Sequence, residues 1–271
     1  MSAVVVHPLY GPSCPSLGWV PAPRYILRRQ RVLALLRDEQ RGDLLEVGCG
    51  GGALVRELAQ AGYRCVAVES SARARIVAKA MTEGLDGVQI AASGEVLGDR
   101  TFDYVLAFEV LEHIEDDAAA VEEWSARLRP GGRLMLSVPN HPAKWNASDV
   151  WGGHYRRYTS STLRNVLETT GLRIDHFECY GYPLANALEP IRAANYARLL
   201  KRRDEDVSRD RDTHAMGTAD SGVERGLEAS LYPVYSSPPL TWIMRLFLLA
   251  QERFLRRDLG NGYIVIARKP G

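Results

Sequence analysis

The chain of 271 residues has little of several features that mark particular protein classes. Its four cysteines, Cys14, Cys49, Cys65 and Cys179, are widely spaced and match neither a zinc motif nor a dense disulfide framework. We therefore expect a reducing, cytoplasmic setting. The amino terminus also lacks a basic region followed by an apolar core, so no secretory signal peptide is predicted.

The chain also has no large excess of positive or negative charge, and it has no long apolar run. The formal net charge of +1 gives no electrostatic reason to expect nucleic acid as a partner. The most apolar late stretch, Leu240 to Ala250, contains Arg245 and is too short to span a bilayer. The length and the hydrophobic content of 46% are nevertheless sufficient for one large domain with a sizeable core, or for one domain plus an insertion.

What the chain does contain is a dense glycine cluster after a short apolar run. The run Leu44–Val47 leads into the turn Gly48–Gly52, and a helical pattern begins at Ala53. A strand, glycine turn and helix is typical of a nucleotide-binding unit, because glycine lets the backbone approach a ligand and the helix start supplies free N–H groups. The alternative is that the glycines serve only turn geometry. Glu46, at the strand's end, suits a ligand with a cationic group.

Strands and helices alternate after this turn. We predict strands at 43–48, 64–69, 87–92, 101–108 and 132–138, and helices at 52–61, 71–83 and 116–129. Before them we expect an irregular arm over residues 1–20 and a helix from Pro21. The alternation implies a parallel sheet covered on both faces, with ligands at the carboxyl ends of its strands.

Four segments resemble the motifs of class I S-adenosylmethionine-dependent methyltransferases, of the ubiquinone/menaquinone-type and small-molecule O-methyltransferase subgroup. They are LLEVGCGGG at the first strand, the acid Glu69 after the second, FDYVLAFEVLEHI at the fourth and LRPGGRLMLSVPN at the fifth. The resemblance covers residues 22–180, with Gly262–Lys269 as a final strand. It implies an α/β fold, Rossmann-like, with a seven-stranded mostly parallel sheet, an antiparallel last strand, helices on both faces and a helical insertion before the last strand.

The resemblance implies that the cofactor is S-adenosyl-L-methionine. Residues near its methionine moiety would be Glu46, Gly48, Cys49 and Gly50, with Phe108 and Glu109 beside the sulfonium. Glu69 and Ser70 would lie at the ribose, and Gly94 and Glu95 near the adenine. Arg24 or Tyr25 would reach over the ligand from the first helix. For the arginine the alternative is a solvated helix face, and for Glu69 it is a role in capping the next helix.

Glu109, Glu112 and His113 form a separate constellation after the fourth strand. Three interpretations stay open: closure of the cofactor pocket and capping of the next helix, a site for a divalent cation such as magnesium, or His113 as a metal-free base. Similar ubiquinone-pathway and small-RNA methyltransferases use such a set for a metal ion. The RNA enzymes add a second histidine, for which His154 is the candidate here.

The loop 140–158 leaves the carboxyl end of the fifth strand and carries several aromatic side chains together with His154. We predict that it forms the acceptor side, although aromatic side chains fill cores as readily as pockets. His154 is our first candidate for a catalytic base and His113 the second.

The expected organisation is an arm and helix covering the cofactor over 1–40, a core over 41–180, a mostly helical insertion over 181–260 and a final strand over 261–271. Within the insertion we predict a mobile segment near 201–224 and an amphipathic helix over 240–256. The insertion could serve as a substrate lid, as a dimer surface or as a membrane-surface contact.

We therefore predict a methyltransferase that acts on a small-molecule acceptor, with oxygen of a hydroxyl or carboxylate as the first choice of acceptor atom. The acceptor would be a secondary metabolite or quinone-like compound. The alternatives are a metal-dependent RNA 2′-O-methyltransferase and a non-catalytic S-adenosylmethionine-binding protein. A monomer or a homodimer is expected, and peripheral membrane contact stays open.

Overall fold

The computed structural model describes residues 4–207 and 226–271. Its strands are β1 Val5–His7, β2 Gly11–Ser13, β3 Asp43–Val47, β4 Arg64–Val68, β5 Val88–Ala91, β6 Phe102–Phe108, β7 Leu128–Pro139, β8 Arg173–Tyr180 and β9 Gly262–Arg268. Its helices are α1 Pro23–Leu36, α2 Ala53–Gln60, α3 Ala72–Thr82, α4 Asp117–Ala126, α5 Ala147–Gly152, α6 Ser160–Thr169, α7 Leu184–Val207, α8 Gly226–Tyr235 and α9 Pro238–Glu252.

Seven of the strands form one sheet in the order β5-β4-β3-β6-β7-β9-β8. The first five of these pair in parallel, and β9 runs antiparallel to both β7 and β8. The predicted seven-stranded, mostly parallel sheet with an antiparallel last strand is therefore confirmed. The order reverses between β3 and β6, and such a switch point is where open α/β sheets bind ligands.

Helices cover both faces of the sheet because successive strand residues point to opposite sides. Leu44 belongs to a core that includes side chains of α1 and α2, whereas Leu45 belongs to a second core with α4 and α6. This packing leaves the carboxyl ends of β3, β4 and β6 as the place where loops and side chains can converge.

The fifth predicted strand starts earlier than expected. We predicted a strand over 132–138, but β7 already begins at Leu128. The register with β6 shifts between the pairs Phe102–Leu128 and Tyr104–Arg133. The proline and glycines of this stretch therefore produce an irregularity within the strand rather than a separate turn.

The prediction of an irregular amino-terminal arm was wrong. Strands β1 and β2 form a short antiparallel hairpin, and Tyr10 and Trp19 are almost completely buried. Pattern alone could not show this, because the stretch is rich in proline and glycine and becomes ordered through contacts with distant side chains. Tyr10, for example, belongs to the core that contains α1 and the insertion.

The insertion between β8 and β9 contributes α7, α8 and α9. Residues 201–207, which we placed in a mobile segment, continue α7, while residues 208–224 of that segment lie outside the described residues. The predicted amphipathic helix is α9, shifted slightly toward the amino terminus. Within the described ranges, every helix is too short or too polar to cross a bilayer.

Candidate active site

A cavity of about 640 Å³ lies at the carboxyl ends of β3, β4 and β6. It collects side chains from α1, the glycine turn, three strand ends, the loop around α5 and the insertion. Most of the predicted site residues line it: Arg24, Tyr25, Glu46, Gly48, Cys49, Gly50, Glu69, Ser70, Phe108, Glu109, Glu112, His113 and His154. Gly94 and Glu95 are not among its lining residues, so their predicted place at the adenine gains no support from this geometry.

The glycine turn is tightly packed beneath the cavity. Gly48 has a φ of 70°, and a Cβ atom there would lie 2.6 Å from a methyl group of Val110. Only glycine meets both conditions without strain. Gly51 meets only the second condition, because its Cβ position lies 2.6 Å from the indole nitrogen of Trp19. The cluster therefore serves turn geometry and close packing at the same time.

Glu69 holds this turn against the start of α3. One carboxylate oxygen accepts a hydrogen bond from the backbone N–H of Gly50, and the other accepts one from Ser71, both at 2.8 Å. Ser71 in turn caps α3 by accepting from the N–H of Ala74. The predicted capping alternative therefore describes part of what Glu69 does, but each oxygen keeps a lone pair for a ligand hydroxyl.

Glu46 is a buried acid, with 4% of its surface exposed. Its Oε2 atom has no hydrogen-bond partner among the described residues. Burial raises the pKa of Glu46 to about 8, although the nearby charge of Arg28 works against this shift. A buried carboxyl that lacks partners and faces a cavity is suited to a ligand that brings a cation.

Glu109 stands at the end of β6 in a left-handed conformation, with a φ of 58°. Its carboxylate lies 2.6 Å from a guanidinium nitrogen of Arg24 and 3.5 Å from one of Arg28, and it accepts hydrogen bonds from Ser137 and Tyr180. Burial alone would raise its pKa, but the two arginines lower it. Glu109 is therefore ionised, and the two arginines balance its negative charge.

The contacts with Glu109 give the two arginines of α1, Arg24 and Arg28, different environments. Arg24 is held against Glu109 and also donates to the backbone carbonyl of Asn261. Arg28 lies at the cavity between the rings of Tyr25 and Phe108, with its guanidinium carbon 5.8 Å from each ring centroid. Its contact with Glu109 is the longer one, so Arg28 is better placed than Arg24 to meet an anionic ligand group. The prediction from sequence singled out Arg24 and missed Arg28.

Glu112, His113 and His154 come together on the opposite side of the cavity. Each offers one ligand atom, and these atoms lie within 4.8 Å of one another. Glu112 is fully buried, and neither of its carboxylate oxygens has a hydrogen-bond partner in the described part of the chain. The predicted metal set named Glu109, but the structure brings His154 rather than Glu109 to the other two residues.

The pKa values of this cluster follow from burial. Burial, reinforced by the charge of Glu109, raises the pKa of Glu112 well above its ordinary value. Burial and the neighbouring His154 lower the pKa of His113 to about 4. His113 is therefore neutral at physiological pH, which leaves its imidazole able to bind a metal but makes it a weak proton acceptor.

A buried ion-pair network orients His154. Its Nδ1 atom lies 2.9 Å from Oδ1 of Asp149, whose carboxylate also accepts two hydrogen bonds from Arg157 at 2.7 and 2.8 Å. Burial would raise the pKa of Asp149, but these hydrogen bonds lower it. A carboxylate at Nδ1 favours the tautomer that leaves Nε2 as an acceptor. Asp149 is a residue that the sequence did not single out.

Close packing against α5 also fixes the position of the His154 imidazole. A Cβ atom on Gly152 would lie 2.9 Å from Nε2 of His154 and 3.7 Å from Cε1 of His113. Glycine at this position therefore lets both rings approach the helix backbone. The two rings meet edge to face with centroids 4.6 Å apart.

The insertion completes this half of the cavity. Arg192 and Tyr196 of α7 and Glu228 of α8 are lining residues, together with Trp151 of α5. The rings of Trp151 and Tyr196 lie 5.9 Å apart, and the Arg192 guanidinium lies 5.5 Å from the Tyr196 ring. The wall opposite the glycine turn is therefore aromatic and carries charges of both signs.

Comparison with known proteins identifies a family. A family model described as a methyltransferase domain matches residues 22–176, which is more than half of the chain. Among curated proteins, the ubiquinone biosynthesis O-methyltransferase of Methylocella silvestris is 38% identical over 120 residues, or 41% of this chain and 45% of that protein. The same enzyme of Parvibaculum lavamentivorans is 31% identical over 115 residues, or 41% and 46%. The chain thus matches about half the length of these relatives.

Solved structures agree on the fold. A Bacillus halodurans protein assigned as a methyltransferase superposes with a TM-score of 0.56 at 18% identity, over 90% of this chain and 99% of that one. Phosphoethanolamine N-methyltransferase 2 of Haemonchus contortus, solved with S-adenosyl-L-methionine, gives 0.52 at 16% identity, over 89% and 52%. At these identities the likeness shows the fold alone.

Proposed function

The chain belongs to the methyltransferase domain family, and on this premise we propose that it transfers a methyl group from S-adenosyl-L-methionine to an oxygen atom of a small-molecule acceptor. One observation carries the proposal. A single cavity joins a half suited to a cationic, hydroxyl-bearing cofactor with a half in which two histidines, His113 and His154, would face the acceptor.

In the donor half, charges complement the methionine moiety of the cofactor. The ammonium group would meet Glu46, whose buried oxygen otherwise has no partner, and the carboxylate would meet Arg28. Glu69, already aligned by Gly50 and Ser71, would accept hydrogen bonds from the ribose hydroxyls. This arrangement would fix the methyl group near Phe108 and Glu109 at the end of β6.

In the acceptor half, His154 would act as the base. The acceptor oxygen attacks the methyl carbon while the carbon–sulfur bond breaks, which leaves a neutral thioether. The proton of the hydroxyl passes to Nε2 of His154, and the imidazolium that forms is stabilised by Asp149. Because the donor is already activated, the main contributions of the protein are alignment and exclusion of water.

The aromatic wall favours an acceptor with a planar apolar body. Trp151, Tyr155 and Tyr196 line the cavity on the side of His154, where a phenol or a related quinone-like compound would find stacking partners. A phenolic hydroxyl needs a base, which agrees with the placement of His154. A carboxylate acceptor would not need one.

A divalent cation such as magnesium fits the cluster of Glu112, His113 and His154. The buried, unpartnered carboxylate of Glu112 supplies a hard oxygen ligand and the histidines supply nitrogen. A cation here would lower the pKa of an acceptor hydroxyl, and Nε2 of His154 would then be a metal ligand in place of its role as the base. Titration with Mn²⁺ followed by electron paramagnetic resonance should show binding that Glu112→Gln abolishes and that His141→Ala, outside the cluster, retains. Absence of Mn²⁺ binding to the unaltered protein would leave His154 as a metal-free base.

The proposal is tested by release of S-adenosylhomocysteine in the presence of three acceptor panels, namely phenols, carboxylic acids and amines. We expect turnover with phenols.

Glu69→Ala should weaken binding of S-adenosylhomocysteine in calorimetry, whereas Glu95→Ala, outside the cavity, should not. Loss of affinity in Glu95→Ala would instead support the predicted adenine contact. Binding of S-adenosyl-L-methionine without turnover on any panel would support a non-catalytic role.

The RNA methyltransferase alternative has less support. His154 does join Glu112 and His113, as a metal-dependent RNA enzyme would need, but Glu109 is committed to Arg24. The net charge of +1 offers little attraction to a phosphate backbone. Binding to RNA that weakens steeply with salt would favour this alternative.

A further inference from the structure

Helix α9 has an outward face that is apolar, and this face is unexpected for a helix exposed to water. Its inner face buries Met244, Leu248 and Gln251 against the rest of the protein. On the opposite side Trp242, Leu246 and Leu249 are exposed to 60%, 46% and 61%. These three residues are spaced by four and three positions, so they form one stripe along the helix. We define this stripe as the α9 outer face.

Arginines flank this face. Arg245 lies at its edge, and Arg253 follows Leu249 by one turn; both are exposed. Arg256 and Arg257 continue the basic character just beyond the helix and are also exposed. No acidic residue occurs in the sequence between Glu228 and Glu252. Glu252 at the end of α9 and Asp258 beyond it are the nearest acids along this stretch, so four exposed arginines against two acids give the surroundings of the α9 outer face a net positive charge.

The exposed apolar surface extends from α9 onto the neighbouring helix α8. Helix α8, which packs on α9, exposes Leu231 and Val234 to 47% and 57%. About half of the surface of each of these two side chains is therefore exposed among the described residues.

We propose that the α9 outer face docks on the surface of an anionic lipid bilayer. A tryptophan and two leucines would enter the interface between headgroups and acyl chains, and the flanking arginines would pair with anionic headgroups. The same insertion contributes Glu228 of α8 to the cavity wall, so the docking face and the cavity share the packed pair α8 and α9. Docking is independent of the methyl transfer and can be tested without an acceptor.

The first test is co-sedimentation of the full chain with vesicles. We expect binding to vesicles of mixed phosphatidylcholine and phosphatidylglycerol and much weaker binding to phosphatidylcholine alone. Replacing Arg245 and Arg253 by glutamine should lower binding by about fivefold for each residue, because a basic residue near a charged membrane contributes about 1 kcal/mol. Equal binding to both vesicle types would contradict the role of the arginines.

A matched pair of substitutions separates the α9 outer face from apolar exposure in general. Leu249→Asp should lower vesicle binding on the order of tenfold. Ile76→Asp changes a side chain on α3 that is equally exposed, at 61%, and should leave binding unchanged. Both positions are exposed, so neither variant should unfold the protein, and thermal melting checks this. Equal losses in the two variants would overturn the proposal.

Tryptophan fluorescence gives a local readout. Brominated acyl chains quench tryptophans that enter the bilayer, and the chain has five tryptophans. Quenching should disappear in Trp242→Phe, which keeps an apolar ring and hence binding. It should persist in Trp145→Phe, which changes another exposed tryptophan, at 42%. Quenching that survives in Trp242→Phe would overturn the proposal.

A second copy of the chain is the competing occupant of this face. If it covers the face, analytical ultracentrifugation should show a dimer that Leu249→Asp converts to monomers, and vesicles should not bind. That result would replace the lipid surface by a homodimer interface.

Discussion

At the scale of single residues, Glu46 connects ligand binding to pH. The folded apo protein keeps this carboxyl protonated up to about pH 8, whereas binding of an ammonium group favours the carboxylate. Binding of S-adenosyl-L-methionine near neutral pH should therefore release a proton, and affinity should rise by up to about tenfold per pH unit below pH 8. Calorimetry in buffers of different ionisation enthalpy measures the released proton directly.

The variant Glu46→Gln provides the control. It should bind the cofactor more weakly, with an affinity that no longer depends on pH in this range. Because the pKa of Glu46 is raised in the folded state, its ionisation in the unfolded chain lowers stability as pH rises from about 4.5 to about 8. Glutamine removes this loss, so the free energy of unfolding at neutral pH should increase. A free energy of unfolding at neutral pH that is lower in Glu46→Gln than in the unaltered protein would contradict this account.

His154 is predicted to act in turnover and not in cofactor binding. Replacing it by alanine should lower turnover at saturating acceptor by about tenfold or more, while the affinity for S-adenosylhomocysteine stays the same. His141→Ala is the matched control, because His141 belongs to the same loop but pairs with Asp258 outside the cavity. Unchanged turnover in His154→Ala would refute the base assignment.

At the scale of elements, α5 sets the position of that imidazole. Gly152→Ala adds one methyl group where Nε2 of His154 would be 2.9 Å away, so the ring must move. We expect turnover to fall by about tenfold or more, since small misplacements of a catalytic group are costly. Cofactor affinity should be unaffected, because the glycine turn lies on the other side of the cavity. Full activity would mean that His154 can move without consequence.

The elements of the core could be predicted because each carries its own local pattern. The apolar run leads into Gly48–Gly52, and helical periodicity begins directly after this turn. The hairpin of β1 and β2 could not be predicted, because its three-residue strands are ordered by tertiary contacts. The end of α7 was misjudged for a related reason: charged residues from Lys201 onward continue a helix that packing begins further upstream.

Topology predicted best the part of the site that follows the strands. Glu46, Glu69 and Glu109 end three strands, so topology alone brings them to one edge of the sheet. The meeting of His154 with Glu112 depends on the path of a loop with no periodic pattern. The neutralisation of Glu109 depends on how α1 crosses the sheet, which the sequence does not reveal.

At the scale of the whole molecule, two tyrosines join the amino-terminal segment to the insertion. The hydroxyl of Tyr10 donates to the carbonyl of Tyr235 at 2.6 Å, and the hydroxyl of Tyr235 donates to the carbonyl of Pro21 at 2.9 Å. The first segment contributes Trp19 to the cavity wall, and α8 contributes Glu228. The donor and acceptor sides are therefore connected by a cover made of two segments far apart in sequence.

Binding of S-adenosylhomocysteine should consequently slow amide hydrogen exchange both in residues 10–22 and in α8, by about tenfold or more. Tyr10→Phe keeps the ring but removes its hydrogen bond, so it should reduce protection in α8 while leaving the glycine turn protected. Tyr63→Phe also removes a buried hydroxyl, which donates to the carbonyl of Leu36 away from the cavity, and it should change neither. Protection confined to the glycine turn would mean that the insertion does not respond to the donor.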